Sequence, residues 1–105
     1  MERAIANSIC CGAFADGRQV GFARAVTDQA TFAYLADIYV LEEHRGQGLA
    51  QRMVKTLLGR PELQGLRRML LITRDAHGLY AKFGFRPLAK PGNVMEAHVP
   101  DVYRR

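Results

Sequence analysis

His44-Arg45-Gly46-Gln47-Gly48-Leu49-Ala50-Gln51-Arg52-Met53 sets two glycines one residue apart, flanked by arginines, where a β-type run gives way to a helical one. Upstream, Phe32, Tyr34, Leu35, Ile38, Tyr39 and Val40 crowd into residues 31–41 and predict a long mid-sheet strand, buried on much of both faces. Downstream, Leu49, Met53, Val54 and Leu57 recur at helical spacing, while Gln47, Gln51, Arg52 and Lys55 fall on the other side. Gly59 and Pro61 end that helix. Residues 66–73 form a third apolar run, so strand, helix and strand make a βαβ unit with a right-handed crossover and two parallel strands.

In such a unit the crevice at the carboxyl end of the first strand, facing the N-terminus of the next helix, is where phosphates bind. Free backbone amides point outward there and the helix dipole favours negative charge. Gly46 and Gly48 let the main chain approach the oxygens without a Cβ in the way, and Arg45 and Arg52 offer charge-assisted contacts. The bland alternative is a glycine turn between solvated arginines. Two related phosphate motifs fail: the dinucleotide fingerprint needs a third glycine where Gln51 stands, and no Gly-Lys-Ser or Gly-Lys-Thr is present for a Walker loop.

The rest of the chain frames this unit. The first eight residues read as the end of a helix, and residues 9–13 and 19–26 as two strands joined at Asp16-Gly17, a hairpin signal because a type I′ turn needs positive φ at both central positions. A turn over residues 27–30 leads into the central strand. After residue 73 comes a short helix, with Asp75 as N-cap, Ala76, Leu79, Tyr80 and Phe83 on one stripe, and Gly84 at the left-handed C-terminal position. Residues 85–88 and 94–99 read as two final strands separated by Lys90-Pro91-Gly92-Asn93.

Composition bounds the function. At 105 residues and 49% hydrophobic content the chain fits a single domain spanning residues 1–105. Fifteen Lys and Arg against ten Asp and Glu, a formal charge of +5, suit a polyanionic ligand. No apolar stretch is long enough for a signal peptide or a membrane span, which with the adjacent Cys10 and Cys11 on opposite faces of a strand points to a reducing, cytoplasmic compartment and no membrane partner. Clustered basic residues interleaved with exposed aromatics are not evident, which argues against a nucleic-acid partner. Ser8 is the only serine and no Gly-x-Ser-x-Gly elbow exists; the three histidines and two cysteines lack zinc-site pairing, so no metal is expected.

Arg45-Gly46-Gln47-Gly48-Leu49-Ala50 resembles the Arg/Gln-x-x-Gly-x-Gly/Ala signature of the GNAT superfamily of acetyl-CoA-dependent N-acyltransferases. The likeness extends to Asp37-Ile38-Tyr39-Val40-Leu41 ahead of it, and to residues 70–73 and 76–85, which end in Leu79-Tyr80 and Gly84-Phe85 as the family's second motif does. Together these cover most of residues 9–88 in the family's order.

The resemblance implies an α/β (α+β) fold: a mixed, mostly antiparallel sheet with a central βαβ unit, splayed parallel strands and helices on both faces. It implies N-acetyl transfer from acetyl-CoA, a co-substrate, to a primary amine by direct attack in a ternary complex. Backbone groups of Ile38, Tyr39 and Val40 would bind the pantetheine arm, and Arg45, Gly46, Gln47, Gly48, Leu49 and Ala50 the pyrophosphate; Lys82 and Arg74 are weaker candidates for the nucleotide end. An amide at or near Ile38 would stabilise the oxyanion. Tyr80 is implied as general acid, although its stripe also reads as core, and Asp37 is the candidate base, with Glu42, Glu43 and His44 competing.

The chain also departs from the resemblance. Family members begin with a strand and one or two helices before the hairpin, and the chain is expected to begin inside the last of those helices, leaving an uncovered edge around residues 8–13 that is expected to recruit a second copy or another chain. Thr73 stands where many members carry asparagine. A shortened acyl-CoA-binding or regulatory module without catalysis is the alternative reading.

Overall fold

The computed structural model describes residues 2–98. A short helix α1 (Glu2–Ala6) leads into β1 (Ser8–Ala15), β2 (Arg18–Thr27) and β3 (Phe32–Val40), an antiparallel meander. Helix α2 (Leu49–Leu58) crosses over to β4 (Arg68–Leu71), which pairs parallel to β3, and α3 (His77–Ala81) follows. The sheet order is β1-β2-β3-β4. This is the mixed, mostly antiparallel α+β architecture with a central βαβ unit and helices on its faces that the sequence led us to expect.

Local chemistry explains the turns. Asp16 and Gly17 take φ of 52° and 78°, the two positive values a type I′ hairpin requires. Between β2 and β3, the Asp28 carboxylate accepts from the amides of Ala30, Thr31 and Phe32 at 2.9, 2.8 and 3.2 Å and from the Thr31 hydroxyl at 2.6 Å. One side chain therefore satisfies three of the turn's amides, and the Thr27 hydroxyl accepts from a fourth, that of Gln29, at 2.9 Å.

The core lies between the sheet and α2. Ala23 and Ala25 of β2 with Ala33 and Leu35 of β3 present a buried, mostly small surface on which Met53 and Leu57 of α2 pack, with Leu63 closing one end. Small residues let the helix come close: a Cβ on Gly21 would lie 2.9 Å from Met53 Cε. Fully burying side chains such as Leu57 contributes roughly 1.5–3 kcal/mol each.

Three expectations are corrected. β3 is buried on one side rather than both: Phe32 and Tyr39 are exposed. Residues 85–88 and 94–98 form no strand, and Val99 lies outside the described residues. Pro87 and Pro91 have no amide to give a ladder, and Pro91–Asn93 closes a 3-10 turn instead. The N-cap of α3 is Ala76 and not Asp75, and no side chain caps the helix; Thr73 Oγ1 instead fixes the turn before it, accepting from the Ala76 amide at 3.0 Å.

Candidate active site

The pairing of β3 with β4 stops early. The last matched pair is Leu35 with Leu71, yet β3 runs on from Ala36 to Val40 with β2 alone beside it. The two parallel strands thus part, and between them opens a cleft of about 540 Å³ lined by Leu35, Ala36, Asp37, Ile38, Leu71 and Thr73, with Tyr80 from α3 and Arg24 from β2.

A bulge shapes the cleft. Arg24 pairs with Ala36 and Phe22 with Tyr39, so Asp37 and Ile38 stand against one residue of β2, and Asp37 takes the left-handed φ of 54°. The extra residue reverses the alternation of β3. Ala33 and Leu35 face the core before the bulge, and Ile38 and Val40 after it, which turns Tyr39 outward. Arg24 holds the bulge: its Nε donates to Asp37 Oδ2 at 2.9 Å, and its Nη1 donates to Ser8 Oγ at 2.9 Å. The Arg24 side chain is 14% exposed and that of Asp37 39%.

At the strand's end, a 3-10 turn (Glu42–His44) brings the chain to the glycine loop. Arg45 Nε donates to the Val40 carbonyl at 2.9 Å, tying loop to strand, so part of this guanidinium serves the scaffold. Gly46 and Gly48 have φ of 80° and 74°. A Cβ on either would meet nothing within 4 Å, so backbone conformation, not crowding, demands glycine there. Gly48 is the N-cap of α2 and offers no side chain to the helix. The first α2 bond runs from the Arg52 amide to the Gly48 carbonyl at 3.0 Å, which leaves the amides of Leu49, Ala50 and Gln51 ahead of it as helix-end donors. That donor set, with the positive helix end, suits a phosphate.

Tyr80 packs in the core and also borders the cleft. It is 8% exposed, its ring meets Phe85 edge-on with centroids 6.1 Å apart, and it still lines the cleft. Burial pushes its phenol above the ordinary value, so it stays a proton donor at neutral pH. Glu43, one of the competing bases, is ion-paired to Arg18 at 2.9 Å. Of the candidate site residues singled out in the sequence, Asp37, Ile38, Tyr80 and Arg74 share the cleft; Tyr39 and Val40 belong to its strand but turn their side chains outward and into the core, and Arg45 to Ala50 form the loop and first turn beyond the strand.

A second hollow of about 370 Å³ shares Asp37 and Ile38 with the cleft and is otherwise lined by Ile5, Gln19, Phe22 and Tyr39. Sequence reasoning missed it, and missed Arg24 as the partner of Asp37, because both depend on the bulge. Among the described residues no cluster of His, Cys, Asp and Glu could hold a metal ion, and no helix is long and apolar enough to cross a membrane.

The chain belongs to the acetyltransferase (GNAT) family, which it matches over residues 2–85. It is similar to a GNAT-family protein of Xanthomonas campestris pv. campestris, with 53% identity and a TM-score of 0.92 over 99% of this chain and 73% of that one. It is 45% identical over 67 residues to a Gibberella zeae protein that carries an acetyltransferase name; the match covers 61% of this chain and spans 37% of that protein's length. A Clostridium acetobutylicum protein that carries an acetyltransferase name and was solved with acetyl-CoA shares the fold at 16% identity, with a TM-score of 0.70 over 89% of this chain and 65% of that one.

Proposed function

We propose that the chain is an N-acetyltransferase that moves an acetyl group from acetyl-CoA to a primary amine held in the same complex. The observation that carries this reading is the parting of β3 from β4: it leaves one side of residues 36–40 open for an extended amide-bearing arm, with Tyr80 in the cleft and the α2 amides beyond it. The pantetheine arm pairs with the main chain of Ile38, Tyr39 and Val40 as an added strand, and the pyrophosphate rests on the amides of Gln47 to Ala50, with Arg45 and Gly46 shaping the loop. Acetyl-CoA bound by a relative of the same fold supports this choice of donor.

The chemistry then follows from the residues at the bulge. The incoming ammonium gives one proton to Asp37, directly or through water, and its nitrogen attacks the thioester carbonyl. A main-chain amide near Ile38 receives the developing oxyanion. As the C–S bond breaks, Tyr80 protonates the sulfur, and the second nitrogen proton restores the phenol, so amide, coenzyme A thiol and one proton leave. Holding both reactants in one geometry removes roughly 7–11 kcal/mol of the barrier. A second copy or another chain pairing with the β1 edge belongs to the same proposal; a strictly monomeric mass by light scattering at high concentration overturns that part alone.

Titration calorimetry with coenzyme A, followed by thiol release from acetyl-CoA against a panel of amines, tests the reading. Heat and amine-dependent release support it. Heat without release identifies a binding module, and the absence of heat with folded protein overturns the whole scheme.

A further inference from the structure

The hollow that shares Asp37 and Ile38 with the cleft has a chemistry of its own. Two of its walls are the rings of Phe22 and Tyr39, 6.1 Å apart and tilted by 40°, and a third is Ile5, 43% exposed. Gln19 is already engaged, its Nε2 donating to the Gly21 carbonyl at 3.1 Å. Among the described residues lining it, Asp37 alone carries a charge, and it stands where the hollow meets the cleft.

Resting on the acetyltransferase reading above, we propose that this hollow selects the acceptor, a compact primary amine on an aromatic or branched apolar body, with its ammonium group against Asp37. The body replaces water over Phe22, Tyr39 and Ile5, and the cation gains the faces of two rings and shares the Asp37 carboxylate with Arg24, which bonds its Oδ2. The volume, about 370 Å³, suits a ligand at the small end of the usual range. Two other amine classes fit poorly. A polyhydroxylated amino sugar would bury hydroxyls against rings that cannot pair them. A phosphorylated amine would meet no cation in the hollow, since Arg24 lines the other cleft and is committed to Asp37 and Ser8.

The test compares 2-phenylethylamine, spermidine and glucosamine 6-phosphate as acceptors by thiol release at saturating acetyl-CoA, with coenzyme A affinity measured separately by calorimetry. The expected result is a kcat/KM for 2-phenylethylamine at least about tenfold above the other two. Phe22→Ala is expected to raise the KM for 2-phenylethylamine by about tenfold while leaving coenzyme A affinity unchanged. Phe22→Leu, which keeps an apolar side chain, should sit between the two and guards against loss of fold, checked by circular dichroism. Intact coenzyme A binding with equal or better turnover of spermidine or glucosamine 6-phosphate overturns the proposal, as does an unmoved KM in both Phe22 variants. Loss of coenzyme A binding in the unaltered protein overturns instead the reading on which it rests.

Discussion

Arg24 and Asp37 meet across the bulge at 2.9 Å, and this contact anchors a residue whose backbone sits at φ 54°, a region that Asp tolerates better than most residues do. The pair thereby fixes both the carboxylate and the main chain around Ile38, the two groups asked to take a proton and to face an oxyanion.

Asp37→Asn separates those duties. Asparagine also tolerates left-handed φ and keeps an oxygen for Arg24 to bond, so the cost should be that of exchanging a charged partner for a neutral one, about 1–2 kcal/mol, with the fold retained. Loss of the base should lower kcat by roughly 10²–10⁴-fold. Thermal melting and steady-state kinetics read the two outcomes; full activity in this variant would remove Asp37 from the chemistry.

Tyr80→Phe keeps the ring that packs on Phe85 and deletes the hydroxyl. Coenzyme A affinity should hold while kcat falls by about 10²-fold or more. Because burial raises the phenol's pKa, the acid form persists through neutral pH, and the rate should decline only as pH climbs past the ordinary phenol range. That alkaline limb should be missing from the pH profile of the variant.

Gly48→Ala places a Cβ at φ 74° in open space, so the cost is conformational alone, roughly 1–2 kcal/mol. Coenzyme A should bind more weakly if the loop's amides are displaced. Gly48→Asn should lose less of both, since asparagine enters this region more readily. Calorimetry on the two variants provides the ranking.

Asp28 makes the turn before β3 sensitive to acid. The Thr31 hydroxyl first, then the amides of Thr31 and Ala30, hold its carboxyl well below the usual carboxylate range. A depressed folded-state value means the stabilisation is present above the unfolded value, near 3.9, and is lost as pH falls through the lower one. The melting-temperature gap between wild type and Asp28→Ala should therefore be steady between about pH 5 and 7 and shrink below about pH 4. A gap that widens on acidification would contradict this account.

The elements legible in the sequence were those written in short-range terms. The hairpin announced itself at Asp16-Gly17, α2 in the spacing of Leu49, Met53, Val54 and Leu57, and the crossover in the order of apolar runs. The bulge left no comparable trace, because an inserted residue in β3 is defined only by what stands opposite it in β2. With it went the outward turn of Tyr39, the one-sided burial of β3 and the Arg24 contact, all of which depend on that local shift of register. Residues 85–98 misled for a related reason: Phe85, Leu88 and Val94 look like strand residues, but Pro87 and Pro91 deny the ladder its donors, and Phe85 packs on Tyr80 and the core while Leu88 and Val94 stay exposed.

The two sides of the bulge are made of different material. On the proposed reading, the donor's grip consists of peptide groups, at the strand's open side and the first turn of α2, and most substitutions there exchange one side chain for another without touching the grip. The acceptor's seat consists of side chains, Phe22, Tyr39 and Ile5, each replaceable by one codon change. A lineage carrying this scaffold can drift toward new amines while its acyl donor stays the same.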